Sequence, residues 1–146
     1  MSELSRPKVQ LESPFGAPTR ENIITNVAYA LLAMRDSLGR GEAPFASHLL
    51  YTQMLDDQNP HERDEGIEAG LVIGRDAQFT AVYSDLGVSR GMEYGIKRAE
   101  KEGRPVVWRR LYDTTLTALE IERIVRDKSP LPLDVIGDIY ARSHEN

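Results

Sequence analysis

Residues 79–99, FTAVYSDLGVSRGMEYGIKRA, constrain the fold more than any other stretch of the chain. The run Phe79–Tyr83 is rich in β-branched and aromatic residues, as a buried strand is. Ser84, Asp85, Gly87 and Ser89 break that run with turn chemistry. Ser89 stands at a helix N-cap position, and Met92, Ile96 and Ala99 follow at i, i+4 and i+7. Glu93 and Lys97 form an i,i+4 pair in the favourable order on the wet face. A strand feeding straight into a helix start puts free backbone N–H groups and a positive dipole end at the carboxyl edge of a sheet. That edge is where α/β proteins hold anionic small molecules.

The rest of the chain supplies the layers around this corner. Residues 1–7 read as a loose lead-in, and KVQLE (Lys8–Glu12) alternates as a short first strand. SPFGAPT is a loop, since Pro14, Gly16 and Pro18 forbid regular structure. Thr19 caps a helix whose apolar positions are Ile23, Val27, Ala30, Leu31, Met34 and Leu38, and Gly39 and Gly41 stop it. EAPFASHLLY reads as a second strand and its exit, and residues 51–59 as a short helical turn and a loop. Asn59 caps a helix with Pro60 at its first position. Gly66, Gly70 and Gly74 recur along one side of that helix and predict close approach by another backbone, from a neighbouring strand or a partner subunit. Gly103 closes the helix after Ser89, and RPVVWR is a further strand entered through Pro105. Asp113 is expected to cap a helix carrying Leu116, Leu119, Ile121, Ile124 and Val125, ended by Pro130 and Pro132. DVIGDIYARS forms a last short helix.

Strands alternating with helices predict an α/β fold, a Rossmann-like three-layer sandwich. Its parallel sheet has four to five strands and helices on both faces. One domain is expected over 1–146, with a core at 8–110 and C-terminal helices at 111–146. The net charge of −5, with Lys and Arg spread among acids, gives nucleic-acid binding no support. The absence of cysteine removes disulfides and thiolate metal sites. His48, His61 and His144 are too dispersed for a zinc set, so no metal and no cofactor is expected. The polar start and the lack of a long apolar run predict a soluble, cytoplasmic chain without membrane contact. No dinucleotide, Walker, zincin or hydrolase-elbow signature is present.

In this fold the loops after the strands share one rim. The first offers Ser13, Phe15, Gly16 and Thr19, the second Ser47 and His48, the third Asp85, Ser89, Arg90 and Gly91. Gly16 and Gly91 let backbone N–H groups approach a ligand closely. Ser89 with the first amides of its helix would form a phosphate cup. Each residue also has a plainer role: Ser89 as a cap, His48 as a half-buried ring, Asp85 as a turn former. Asp56 and Asp57 are expected in solvent.

SPFG, APFASHLLYTQMLDD, ERDEGIEAGL and DLGVSRGMEYGIKRAEKEGRPV, taken in order, resemble the nucleoside 2-deoxyribosyltransferase-like superfamily, closest to a small branch common in phage and bacterial genomes. The resemblance covers Lys8 to Trp108. It implies a Rossmann-like fold, a homodimer or higher oligomer, and a pocket for a nucleoside or nucleoside 5′-monophosphate. Active members cleave or exchange the N-glycosidic bond through a glutamate nucleophile. Ser89 and Gly91 match the family's Ser-x-Gly turn, but the glutamate position, four residues after the glycine, falls on Gly95. Glu93 lies about 200° away round the helix and reaches that role only through a two-residue slip. Glu93 and Asp85 are the acids expected near the corner.

Three readings follow. The first is a nucleoside- or nucleotide-binding protein without the usual nucleophile. The second is an N-glycosidase or deoxyribosyltransferase using Glu93. The third is a phage factor that sequesters a nucleotide signal or binds a host protein.

Overall fold

The structure, a computed structural model, describes residues 5–144. The first four residues of the expected lead-in and the last two of the C-terminal region therefore lie outside the described residues. Four strands, β1 Lys8–Glu12, β2 Ala43–Phe45, β3 Phe79–Tyr83 and β4 Val106–Arg109, form one sheet in the order β2-β1-β3-β4. All three pairings are parallel, with Val9 opposite both Pro44 and Phe79, and Ala81 opposite Val107. The helices are α1 Arg20–Gly39, α2 Ser47–Leu50, α3 Pro60–Gly74, α4 Arg90–Lys101, α5 Ala118–Asp127 and α6 Leu133–Tyr140. This is the expected Rossmann-like α/β sandwich, with four strands among the described residues.

Capping residues set most of the boundaries. Thr19 accepts from the Asn22 amide, Asn59 from those of His61 and Glu62, and Ser89 from that of Met92. Each satisfies donors that a helix start leaves unpaired. The helix after β4 begins later than expected. Thr117, not Asp113, caps it, in a box with Glu120 that satisfies amides in both directions. Asp113 instead closes a turn by accepting from the Thr115 amide. The second strand is also shorter than expected. Only three residues pair, and the chain turns helical at Ser47, consistent with the lack of β-branched residues there.

The two faces of the sheet differ in character. Val9, Leu11, Ala81 and Tyr83 join the core built by Ile23, Val27, Ile121, Val125 and Ile136 of α1, α5 and α6. Strand side chains alternate, so Gln10, Glu12, Thr80 and Val82 face the layer of α3 and α4. There Gln10 reaches Gly74 and Glu12 reaches Gly95. Arg104 donates to the Thr80 hydroxyl at 3.0 Å.

The glycine ridge of α3 has a different occupant from the one expected. A Cβ at Gly74 would lie 2.9 Å from the Gln10 side-chain oxygen, and one at Gly70 would lie 2.6 Å from the Ser47 side chain. The notches admit side chains of this same chain, not another backbone.

Candidate functional site

The sheet changes direction between β1 and β3: the chain leaves β1 towards β2 on one side and returns to β3 on the other. Loops diverge at such a point, and ligands settle in the resulting crevice. Here the crevice is a cavity of about 370 Å³. Gln10 and Glu12 of β1, the α2 segment, α3 and the start of α4 enclose it. The volume falls in the range of small-molecule sites.

The fold gathers eight of the residues that the sequence places on the rim here, Ser47 of α2 among them, and leaves Thr19 outside. Ser13, Phe15 and Gly16 come from the loop after β1, His48 from α2, and Ser89, Arg90 and Gly91 from the start of α4. Ser13 Oγ and His48 Nε2 are 2.7 Å apart. Burial holds the His48 imidazole down to about 4, so it is neutral near pH 7. Phe15 is held from behind: its ring packs edge-on against Tyr140 at 6.2 Å, and its carbonyl accepts from Asn26. Ser89 is a genuine cap, as the plainer reading had it, and still lines the cavity. Among the described residues the amides of Arg90 and Gly91 meet no protein acceptor. They point the helix start at the cavity, as free N1 and N2 groups do.

Asp85 and Glu93 are not brought together with these residues. Asp85 is buried and accepts from the Tyr29 hydroxyl at 2.7 Å and from the Leu111 and Tyr112 amides at 2.8 and 3.0 Å. Its own amide donates to the Tyr29 oxygen. Arg110 adds a longer ion pair at 3.7 Å. With its acceptor capacity taken up in this way, Asp85 ties β3 to α1 and to the segment after β4 and does not line the cavity. Glu93 is exposed on the outer face of α4 and is also outside the cavity wall. The helix register foretold this, since Met92, Gly95 and Ala99 are the buried positions.

The cavity contains acids and a base that the sequence reading left aside. Glu12 lines it from the end of β1, and desolvation raises its carboxyl to about 8, against smaller opposing effects of the Gln10 hydrogen bond and Arg104. A Cβ at Gly95 would lie 2.6 Å from the Glu12 carboxyl carbon. Glu12 therefore fills the space that a side chain at residue 95 would need. Asp57, expected in solvent, is half-buried and lines the cavity, and desolvation raises its carboxyl as well. Arg63 stands 3.7 Å from Asp57, and its guanidinium is 3.9 Å from where a Cβ on Gly91 would sit. Tyr51 and Tyr94 add aromatic wall. One sequence signal could have found Glu12. KVQLE alternates, yet a parallel sheet covered on both faces buries both sets of side chains. Gln10 and Glu12 were thus bound to be enclosed polar groups.

Among the described residues no cluster of three or more His, Cys, Asp or Glu could hold a metal ion, and no helix is long and apolar enough to cross a membrane.

Fold and site together define a parallel α/β protein with a cavity of small-molecule size at its topological switch point. A family model, that of a domain of unknown function (DUF7768), matches residues 7–109, and the chain belongs to that family. The matched span runs from β1 to β4 and includes every element that lines the cavity, leaving α5 and α6 beyond it. No curated protein and no solved structure gives a match.

Proposed function

We propose that this protein binds a nucleoside 5′-monophosphate, or a related phosphorylated nucleoside, in the cavity between β1, α3 and α4. One observation carries the reading. The open amides of Arg90 and Gly91 and the Arg63 guanidinium converge on one end of the cavity. Backbone N–H groups at a helix start combined with a guanidinium make a phosphate site. The walls beyond it suit the remainder of a nucleotide: Tyr51, Tyr94, Ile67 and Leu71 offer apolar and aromatic surface, and Ser13, Ser47 and Thr52 offer hydroxyls. The resemblance to nucleoside 2-deoxyribosyltransferases supports the same ligand class.

Thermal unfolding in the presence of purine and pyrimidine nucleosides and their 5′-monophosphates tests this. A ligand at a hundred times its Kd stabilises by about 2.7 kcal/mol, a shift of several degrees for a chain of this size. The monophosphates are expected to raise Tm more than the parent nucleosides. Arg63→Ala is expected to erase most of that difference without lowering Tm in the absence of ligand. No shift with any nucleotide would refute the reading.

A further inference from the structure

We propose that Glu12 determines the specificity of the cavity, its carboxyl meeting the bound nucleotide as a hydrogen-bond donor. The group it reads is an uncharged acceptor, a carbonyl oxygen or an unprotonated ring nitrogen. This rests on the nucleotide-binding reading above, since the part of a nucleotide that carries such acceptors is its base. The position of Glu12 supports it first. Glu12 ends β1, and part of its surface stays open to the cavity that it lines. Its carboxyl carbon lies 2.6 Å from where a Cβ on Gly95 would sit, so the backbone of α4 backs the group.

The surroundings of Glu12 offer no counter-charge. Among the described residues no cation forms an ion pair with it, in contrast to Glu42, which Arg109 grips at 2.6 Å. Arg104, whose field reaches Glu12, is committed to Glu102 at 2.8 Å and to the Thr80 hydroxyl at 3.0 Å. Elsewhere in the cavity His48 is neutral and bonded to Ser13, and Arg63 is paired with Asp57. Arg90 and Tyr94 of α4, Glu62 of α3 and Tyr51 complete the titratable groups of the wall. A carboxyl enclosed between a sheet and a helix without a cation keeps its proton, and burial raises Glu12 to about 8.

A protonated carboxyl has one O–H to donate. Gln10, two residues back on the same face of β1, is its hydrogen-bonding neighbour. The Gln10 oxygen does not take that proton: it is turned to Gly74, 2.9 Å from where a Cβ would sit, and has no partner among the described residues. The Glu12 O–H is therefore left for a ligand. A bound carbonyl oxygen or ring nitrogen satisfies it and removes the cost of an unmade hydrogen bond. An ammonium group would need the ionised carboxylate instead, and so would bind better as the proton leaves.

The full-length protein should be titrated by calorimetry with purine and pyrimidine nucleoside 5′-monophosphates from pH 7 to 9, in two buffers of different ionisation heat. Kd is expected to rise about tenfold across that range, most of it above about pH 8, as Glu12 loses the proton that the ligand needs. Proton uptake on binding should grow from close to none at pH 7 to about one per site at pH 9. Glu12→Gln, whose amide donates to the same acceptor, is expected to keep Kd at pH 7 within about threefold and to lose the dependence on pH. Glu12→Leu, of similar size but without a donor, is expected to weaken binding at pH 7 by about tenfold or more. A Kd that falls above pH 8, a Kd level to pH 9, or a leucine variant that binds as tightly as the native chain would each overturn the assignment and leave the binding reading intact. The native profile and Glu12→Gln decide the question even where Glu12→Leu fails to fold. Absence of binding by every nucleotide would remove both.

Discussion

The two faces of the sheet are built from the same strands and yet follow different rules. On one, Val9, Leu11, Ala81 and Tyr83 meet α1, α5 and α6 in a dry apolar core. On the other, Gln10, Glu12 and Thr80 meet α3 and α4, and small residues make room for them: Gly74 for Gln10 and Gly95 for Glu12. A face designed only for stability would carry valine or isoleucine at those positions, because burying an uncompensated polar group costs about 1–3 kcal/mol. Among the described residues the Gln10 side-chain oxygen has no hydrogen-bond partner. The polar face accepts that cost next to the cavity. The apolar core and the cavity have been separated by strand parity.

The largest effect should come from the apolar side. Tyr29 of α1 is fully buried, and its hydroxyl bridges the carboxylate and the amide of Asp85. Asp85→Ala would leave that hydroxyl and the Leu111 and Tyr112 amides unpaired at once. Each orphaned buried donor costs about 1–3 kcal/mol, so a loss of about 3 kcal/mol or more is expected in urea unfolding. If Asp85 served the ligand and not the fold, the substitution would instead reduce nucleotide binding and leave the urea midpoint in place.

The polar face responds to volume more than to lost bonds. Gly95→Ala drives a methyl group towards the Glu12 carboxyl carbon, 2.6 Å away. Overpacking of this kind costs about 1–3 kcal/mol. In a Glu12→Ala background the space is free, and the same substitution should stabilise by up to about 1 kcal/mol through helix propensity. The sign reversal is the measurement: a double-mutant cycle should give a coupling of about 1 kcal/mol or more. Additive effects would mean that Glu12 does not occupy the notch.

Protons sharpen the contrast further. Glu12 has a folded value of about 8, above its ordinary carboxylate range. The folded state therefore holds a proton that the unfolded chain has already lost, and stability falls as pH rises towards 8, by up to about 1.4 kcal/mol per unit. His48 behaves in the opposite sense. Its folded value of about 4 is below the unfolded one, so its contribution is complete above pH 6.5 and is lost as pH falls towards 4. The two slopes oppose each other at acid pH, and Glu12 acts without His48 between pH 6.5 and 8. Tm is expected to fall across that window in the native sequence and to stay level in Glu12→Gln. A native Tm that rises there would contradict the burial of Glu12.

The sequence made the fold legible because its signals are local. β1 and β3 begin and end where their residue types say, and Thr19, Asn59 and Ser89 cap their helices as their positions predict. The helix-start end of the cavity was legible for the same reason, since Ser89, Arg90 and Gly91 closely follow a strand. What was lost depended on distance along the chain. Glu12 and Gly95 are 83 positions apart, and only the crossing of α4 over β1 makes one the occupant of the other's space. Asp57 was hidden in a polar stretch whose composition matches an exposed loop, and Arg63 among the charged residues at the start of the helix that Asn59 caps. The ridge on α3 showed that something approaches closely, and only the packing showed that Ser47 and Gln10 are what approach. Asp113 misled because a cap needs a following helix in register, and the Thr117–Glu120 box supplies the better one.

The smallest effect tests the comparison from outside it. Glu93 belongs to neither face, since it stands exposed on α4 beside the first turn. A carboxylate there interacts favourably with the helix dipole, worth a few tenths of a kcal/mol at an exposed site. Glu93→Gln should therefore change stability by less than about 0.5 kcal/mol and leave the nucleotide-dependent rise in Tm unaltered. The result discriminates between two addresses for the cavity's buried carboxyl. If the helix supplied it, through a slip that turned residue 93 inwards, Glu93→Gln would remove the fall of Tm between pH 6.5 and 8 and Glu12→Gln would not. If the strand delivers it, the outcomes exchange. Running the pair side by side makes each the control for the other, because both replace one carboxyl by an amide with little change of volume, and only their address differs: Glu12 at the end of β1, Glu93 on the outer face of α4.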